Sequence, residues 1–321
     1  MKTNKHRILI LTGDAGLGHR SAAEALRDAF QNKFGDKCTV KITNPFNHPD
    51  MPDFIHDSQS DYDQIVKKMP DVYEFAYKIS DAKMPVALME GGFSILLFQI
   101  LKDILNDFNP DLVITTYPMY PAPLSILSQI EDFDFPWITV VTDLVTVHHI
   151  WFNTNATLCT VPTQAVREIA LEAGFSEDQI MNSGIPVDPQ ISALKSVNKN
   201  ELRRELAWEK DLTTVLVVGS PRVTSLLEII KELDKSNNPL QFALVAGGDD
   251  SLYQSFQDAD LSHPAKVYNF VDNLPEMMRA ADLIVCKAGG LIVTESLASG
   301  LPLMLVHMLP GQEEGNVNYV L

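Results

Sequence analysis

Residues 7–26 read RILILTGDAGLGHRSAAEAL. Ile8-Leu9-Ile10-Leu11 is a short continuous apolar run that stops at a glycine, the pattern of a strand buried on both faces. Gly13, Gly16 and Gly18 follow, and then Ser21-Ala22-Ala23-Glu24-Ala25-Leu26 carries helical spacing. In a strand, glycine loop and helix in that order, the first helical N–H groups and the helix dipole attract an anion or a polar ligand. The glycine spacing is GxxGxGH and not GxGxxG, so a dinucleotide such as NAD is not favoured.

The same rhythm continues along the chain. Strands are expected at Arg7 to Leu11, Thr39 to Ile42, Asp111 to Thr115, Trp137 to Thr142 and Leu158 to Val161 in the first half. In the second half they fall at Thr213 to Val218, Phe242 to Ala246, Lys266 to Phe270, Leu283 to Cys286 and Leu303 to Val306. Strands that alternate with helical patterns make parallel sheets, so the fold class is α/β with one sheet in each half. The 321 residues are enough for two domains. Residues 1–185 read as the first, 186–197 as a linker and 198–321 as the second. The linker reading rests on Pro186 and Pro189, which remove amide donors and restrict their neighbours. Asn198, with Glu201 three residues on, announces the next helix. Asn44 to Met89, with five prolines, breaks the rhythm and reads as an elaboration on the first domain.

Composition excludes several classes. There are 25 basic against 42 acidic residues, a net charge of −17, which argues against a broad nucleic-acid surface. Three cysteines, Cys38, Cys159 and Cys286, form no CxxC pair, which argues against a disulfide scaffold or a cysteine zinc site and suits a reducing cytosol. The most apolar stretch, Phe93 to Leu101, is too short to span a bilayer and reads as a buried helix or, with Met84 to Met89, as an interfacial surface. No signal-peptide core precedes the first glycine loop.

Four strings carry candidate chemistry. His19, at the mouth of the first glycine loop, is placed either to take a proton from a hydroxyl or simply to cap its helix or bond a neighbouring carbonyl. VTDLVTVHHIWF, residues 141–152, puts Asp143 at a strand's carboxyl end, where a carboxylate can orient an imidazole or merely bond its own loop. His148 and His149 are adjacent and lack a third metal ligand, so no metal is expected there. KAGGLIVTE, residues 287–295, repeats strand, glycine loop and helix: Gly289 and Gly290 suit a phosphate, and Glu295 suits a ribose diol or a solvated face. PGQEEGN, residues 310–316, offers Gln312, Glu313 and Asn316 as readers of sugar hydroxyls.

These strings together, in order and over nearly the whole chain, resemble the monogalactosyldiacylglycerol synthase and processive diacylglycerol glucosyltransferase family, itself similar to the peptidoglycan N-acetylglucosaminyltransferase. GDAGLGHRSAAEAL (13–26), GIPVDP (184–189) and KAGGLIVTESLASGLPL (287–303) carry the likeness with the two strings at 141–152 and 310–316. The resemblance implies a GT-B fold of two Rossmann-like domains facing across a cleft. It also implies an inverting, metal-independent transfer of glucose or galactose from a UDP-sugar to diacylglycerol. No cofactor beyond the UDP-sugar co-substrate is implied, and the location would be cytoplasmic and peripheral to a membrane.

Carried over residue by residue, His19 would be the general base, with Asp143 beside it and Gly16, Gly18 and His148 on the acceptor side. Gly289, Gly290 and Leu291 would border the diphosphate, Glu295 would hold the ribose, and Gln312, Glu313 and Asn316 would face the sugar. The resemblance has three departures. After the first strand of the second half stands Gly219-Ser220-Pro221-Arg222, with a single glycine; there Gly219 and Arg222 would meet the diphosphate. Ile292 replaces a threonine common in relatives. The second domain reads as truncated at Leu321, as a natural short form or a fragment. Transfer to another lipid or polyprenol, or a donor-impaired lipid- or nucleotide-binding protein, are the alternative readings.

Overall fold

The computed structural model describes residues 5–14, 17–51, 97–130, 133, 135–220, 223, 225–309 and 313–321. Gly16, Pro221, Arg222, Gln312 and all but the start of the proline-rich segment at 44–89 lie outside the described residues. The chain divides into two compact units, residues 1–187 with 310–321, and residues 188–309.

In the first unit six parallel strands form one sheet: β1 (His6–Leu11), β2 (Cys38–Thr43), β3 (Leu112–Thr115), β4 (Trp137–Val140), β5 (Leu158–Val161) and β6 (Ile180–Asn182). Their order is β2-β1-β3-β4-β5-β6. Alternation along β1 explains the apolar run Ile8 to Leu11. Ile8 and Ile10 pack on one face with Ala23, Ile114 and Val140, while Leu9 and Leu11 enter the other with Leu101, Val113 and Trp137. All four are at most 5% exposed.

Five parallel strands build the second unit's sheet: β7 (Thr213–Val218), β8 (Leu240–Val245), β9 (Ala265–Tyr268), β10 (Leu283–Lys287) and β11 (Leu303–His307). Their order is β11-β10-β7-β8-β9. The central strand β7 divides its side chains in the same way, with Val215 and Val217 in one core and Leu216 in the other.

The ten expected strands are present, with ends shifted by up to two residues. β6 was not expected: it is three residues long and only Ile180 is buried, so its sequence carries almost no apolar signal.

Two boundaries differ from the sequence reading. The 186–197 stretch, expected to be a linker, holds a helix at Pro189–Ala193 and a 3-10 turn at Leu194–Ser196. Asp188 is the reason. Its side chain accepts from Gln190 N at 2.8 Å, capping a helix whose first residue is proline, where the missing N–H costs nothing. Arg279 then fastens the turn by donating to the carbonyls of Leu194 and Val197 at 3.1 Å each. The second difference concerns residues 310–321, expected in the second domain but grouped with the first unit. The helix Glu314–Val320 lies against the loop after β4 through Gly315, where a Cβ would stand 2.6 Å from Thr146 Oγ1 and 2.7 Å from Val145 Cβ. Only a residue without a side chain allows that approach.

Candidate functional site

In an open parallel sheet, ligands bind at the carboxyl ends of the strands where the strand order reverses direction. The first sheet reverses between β1 and β3. The glycine loop after β1 leads there into the helix Leu17–Phe34, and His19 lies in that helix's first turn.

Three threonines from the ends of neighbouring strands hold His19. Thr12 follows β1, Thr116 follows β3 and Thr142 follows β4, and all are at most 5% exposed. Thr116 Oγ1 lies 3.0 Å from both Thr12 Oγ1 and the His19 carbonyl oxygen. A carbonyl only accepts, so the Thr116 hydroxyl proton goes to His19. On the ring, Nδ1 is 2.9 Å from the Thr116 carbonyl oxygen and 2.9 Å from Thr142 Oγ1. Contact with that carbonyl requires Nδ1 to carry the proton, which leaves Nε2 as the basic nitrogen.

Aromatic rings surround the imidazole. Tyr117 meets it edge to face at 4.9 Å, and the Trp151 ring lies 5.9 Å away. The Trp151 indole N–H donates to Asp143 Oδ2 at 3.3 Å, so Asp143 fixes one wall of the His19 pocket. The histidine His148 caps the turn His149–Trp151, its Nδ1 accepting from Ile150 N at 3.2 Å.

The loop before His19 is anchored as well. Asp14 Oδ2 accepts from Asn44 Nδ2 at 2.7 Å and Asn47 Nδ2 at 3.2 Å, tying the glycine loop to the segment after β2. Beneath it, the Tyr120 hydroxyl donates to the Thr12 carbonyl at 3.0 Å. Burial, then Tyr117 and Asp14, push that hydroxyl well above the usual tyrosine range and keep it a donor.

The second sheet reverses between β7 and β10. The loops flanking that point are Gly219-Ser220 and Ala288-Gly289-Gly290. Gly289 is the N-cap of the helix Gly290–Ser299 and has extended backbone, φ −69 and ψ 141. Leu291 and Ile292 lie in the first turn of this helix and Glu295 in its second. Burial, then the carboxylate of Asp188, push the Glu295 carboxyl up to about 7. Gly219 has a packing reason to be glycine, since a Cβ there would lie 2.5 Å from Leu252 Cδ2 and 2.9 Å from the Val245 carbonyl oxygen.

The structure therefore gathers His19, Asp143 and His148 in the first unit, and Gly219, Gly289, Gly290, Leu291 and Glu295 at the second unit's switch point. Glu313 and Asn316 are buried, at 5% and 1% exposure, and are grouped with the first unit. Thr116, Thr142 and Trp151 were missed as site residues. Their signal was present: polar Thr115-Thr116 and Thr142 end two apolar strands at the depth of the glycine loop. Among the described residues no group of three or more His, Cys, Asp or Glu side chains could hold a metal ion, and no helix is long and apolar enough to cross a membrane.

Two doubly wound units in one chain, each with a glycine loop at its switch point, define the GT-B fold class. Solved structures share it. Acinetobacter baumannii MurG matches over 98% of this chain and 82% of its own at 15% identity, with a TM-score of 0.57. Anabaena HepE, determined in complex with UDP-glucose, matches over 98% and 89% at 16% identity, with a TM-score of 0.54. The monogalactosyldiacylglycerol (MGDG) synthase family model matches residues 19–187, and that of the glycosyltransferase family 28 C-terminal domain matches 213–319. The chain is 32% identical to monogalactosyldiacylglycerol synthase 2 of Arabidopsis thaliana over 98% of its own length and 68% of the relative's. It belongs to the monogalactosyldiacylglycerol synthase family and is a UDP-sugar glycosyltransferase. Eight plant synthases similar in sequence are spanned by this chain over 60–69% of their lengths.

Proposed function

We propose that this protein transfers a hexose, galactose or glucose, from its UDP-sugar to the hydroxyl of diacylglycerol, with inversion and without a metal, at a membrane surface. The observation that carries this reading is the imidazole of His19, with Nδ1 committed to the Thr116 carbonyl and Nε2 left as the base. The family to which the chain belongs supports the lipid acceptor, and the names of its plant relatives favour galactose.

In the reaction Nε2 of His19 takes the proton of the acceptor hydroxyl, whose oxygen bonds to the anomeric carbon as the bond to UDP breaks. Charge then develops on the departing diphosphate. The N–H groups at the start of the helix Gly290–Ser299 stabilise it, a task that a helix N-terminus performs without a metal. Glu295 accepts hydrogen bonds from the ribose hydroxyls. Gly16, Gly18, Asp143 and His148 serve the acceptor side. Leu291, Gly219 and Arg222 border the nucleotide, while Gln312, Glu313 and Asn316 read the sugar.

The test uses diacylglycerol vesicles with UDP-galactose or UDP-glucose, with and without a chelator. A β-linked glycolipid, formed undiminished in chelator and lost in His19→Ala with UDP binding retained, is the expected result. Full turnover in His19→Ala removes the base, an α-linked product removes inversion, and a product on polyprenol but not on diacylglycerol replaces the acceptor.

A further inference from the structure

Sequence logic gives the orientation of the imidazole to Asp143, because a carboxylate is the usual orienting group. In the structure the hydroxyl one residue earlier also meets the ring. We propose that Thr142 is the positioning residue of His19, acting with the Thr116 carbonyl to fix the imidazole as the Nδ1–H tautomer and to hold Nε2 toward the acceptor hydroxyl. The inference rests on the reading of His19 as general base.

Geometry carries the argument. Thr142 Oγ1 and the Thr116 carbonyl oxygen are each 2.9 Å from Nδ1, one from beyond β4 and the other from beyond β3. A ring nitrogen that meets two oxygens, one of them unable to donate, is a donor to both. Two acceptors from just beyond adjacent strands fix the rotation of the ring about χ2 more tightly than one would. Thr142 is itself rigid: it is 5% exposed, and β-branching restricts its χ1. The rest of the clamp, Thr12 and Thr116, restrains the His19 backbone through its carbonyl.

The consequence for proton transfer follows from charge. Once Nε2 has taken a proton, the ring is cationic and its Nδ1–H is a stronger donor, so both oxygens hold the imidazolium more tightly than the imidazole. A hydroxyl does this without a full negative charge. It favours the protonated ring less than a carboxylate in the same place would.

Thr142→Val removes the hydroxyl and keeps the shape, and Thr142→Ser returns the hydroxyl. In the valine variant kcat is expected to fall roughly 10- to 100-fold, the range for one hydrogen bond to a charged group, with KM for the UDP-sugar unchanged. The acidic limb of its pH–rate profile should move to lower pH, and serine should restore both. With ¹⁵N-histidine labelling, and the His19 signals assigned by their loss in His19→Gln, the titration midpoint of the ring is expected to fall in the valine variant along with the limb.

A valine variant that melts like the wild type and shows unchanged kcat, limb and ¹⁵N midpoint overturns the proposal. A serine variant as impaired as valine does so too, because the methyl and not the hydroxyl would then matter. If His19→Ala leaves turnover intact, the base assignment fails while the ¹⁵N titration still decides whether Thr142 holds the ring, so the two failures are distinguishable. A valine variant that does not fold leaves the serine variant and the wild-type tautomer to decide: an Nε2–H tautomer in the wild type refutes the clamp.

Discussion

Gly13 lies directly against the ring of Tyr117: a Cβ at position 13 would fall 2.8 Å from three of its carbons. The same ring meets His19 edge to face at 4.9 Å, so the first glycine of the loop sets the wall of the imidazole's pocket as well as the path of the chain.

Gly13→Ala therefore has to displace an aromatic ring packed among Phe46, Tyr120 and His19. Overpacking of this kind costs about 1–3 kcal/mol. The expected outcome is a lower melting temperature together with a loss of turnover larger than the loss of UDP binding. The double variant Gly13→Ala, Tyr117→Ala, followed by calorimetry, should recover much of the stability.

Glu295 gives the second unit a distinctive response to pH. Its carboxyl is pushed up to about 7, first by burial and then by Asp188, from an ordinary value of 4.5. The folded state thus binds a proton that the unfolded chain has already released. This contribution is fully present below pH ~4.5 and is lost as pH rises through ~7, on the order of 3 kcal/mol in all. Glu295→Gln should flatten that part of the stability–pH curve in urea titrations at pH 5, 6, 7 and 8. If the carboxylate accepts from ribose hydroxyls, UDP affinity in the wild type should rise over the same interval.

The opposite dependence is expected from Asp234. Burial pushes this carboxyl up, but the backbone N–H groups of Ser262 at 2.7 Å and His263 at 2.9 Å, with the His263 ring at 3.0 Å, outweigh it and hold the group down at about 2. A lowered value makes the contribution present above pH ~4 and lost as pH falls toward 2. Asp234→Ala leaves the two N–H groups without their acceptor, which costs about 1–3 kcal/mol. Its acid unfolding should begin at higher pH, visible as an earlier loss of helical circular dichroism.

Arg203 is 5% exposed and joins four points of the second unit. It donates to the carbonyls of Ala280 at 3.0 Å, Lys210 at 2.9 Å and Leu212 at 3.2 Å, and pairs with the carboxylate of Asp282. Breaking a fully buried pair from one side costs about 3–5 kcal/mol. Arg203→Met is expected to destabilise by less than that, because the Asp282 side chain is 35% exposed and Lys199 still pairs with it. The comparison that checks this is its denaturant midpoint against that of Lys199→Met, which should shift far less.

Most of the fold was legible along the chain because the stretch of a strand that is buried on both faces must be mostly apolar. β1, β7 and β10 show this directly. β6 was not legible, since it has one buried residue and polar ends. Pro189 was misread as a breaker because its effect depends on where it falls: at the first helical position, behind the Asp188 cap, it begins a helix.

By itself the sequence determined two parallel sheets, a glycine loop after the first strand of one and after the fourth strand of the other, and His19 at the mouth of the first. These are local facts, carried by residues adjacent in the chain. Tertiary structure brought Thr142 Oγ1 and the Thr116 carbonyl oxygen, 123 and 97 residues away, onto the imidazole. It also brought the helix Glu314–Val320 against the loop after β4, through a glycine seated against Thr146. Strand order and the close approach of distant backbones set those contacts, and neither has a period or spacing that can be read along the chain.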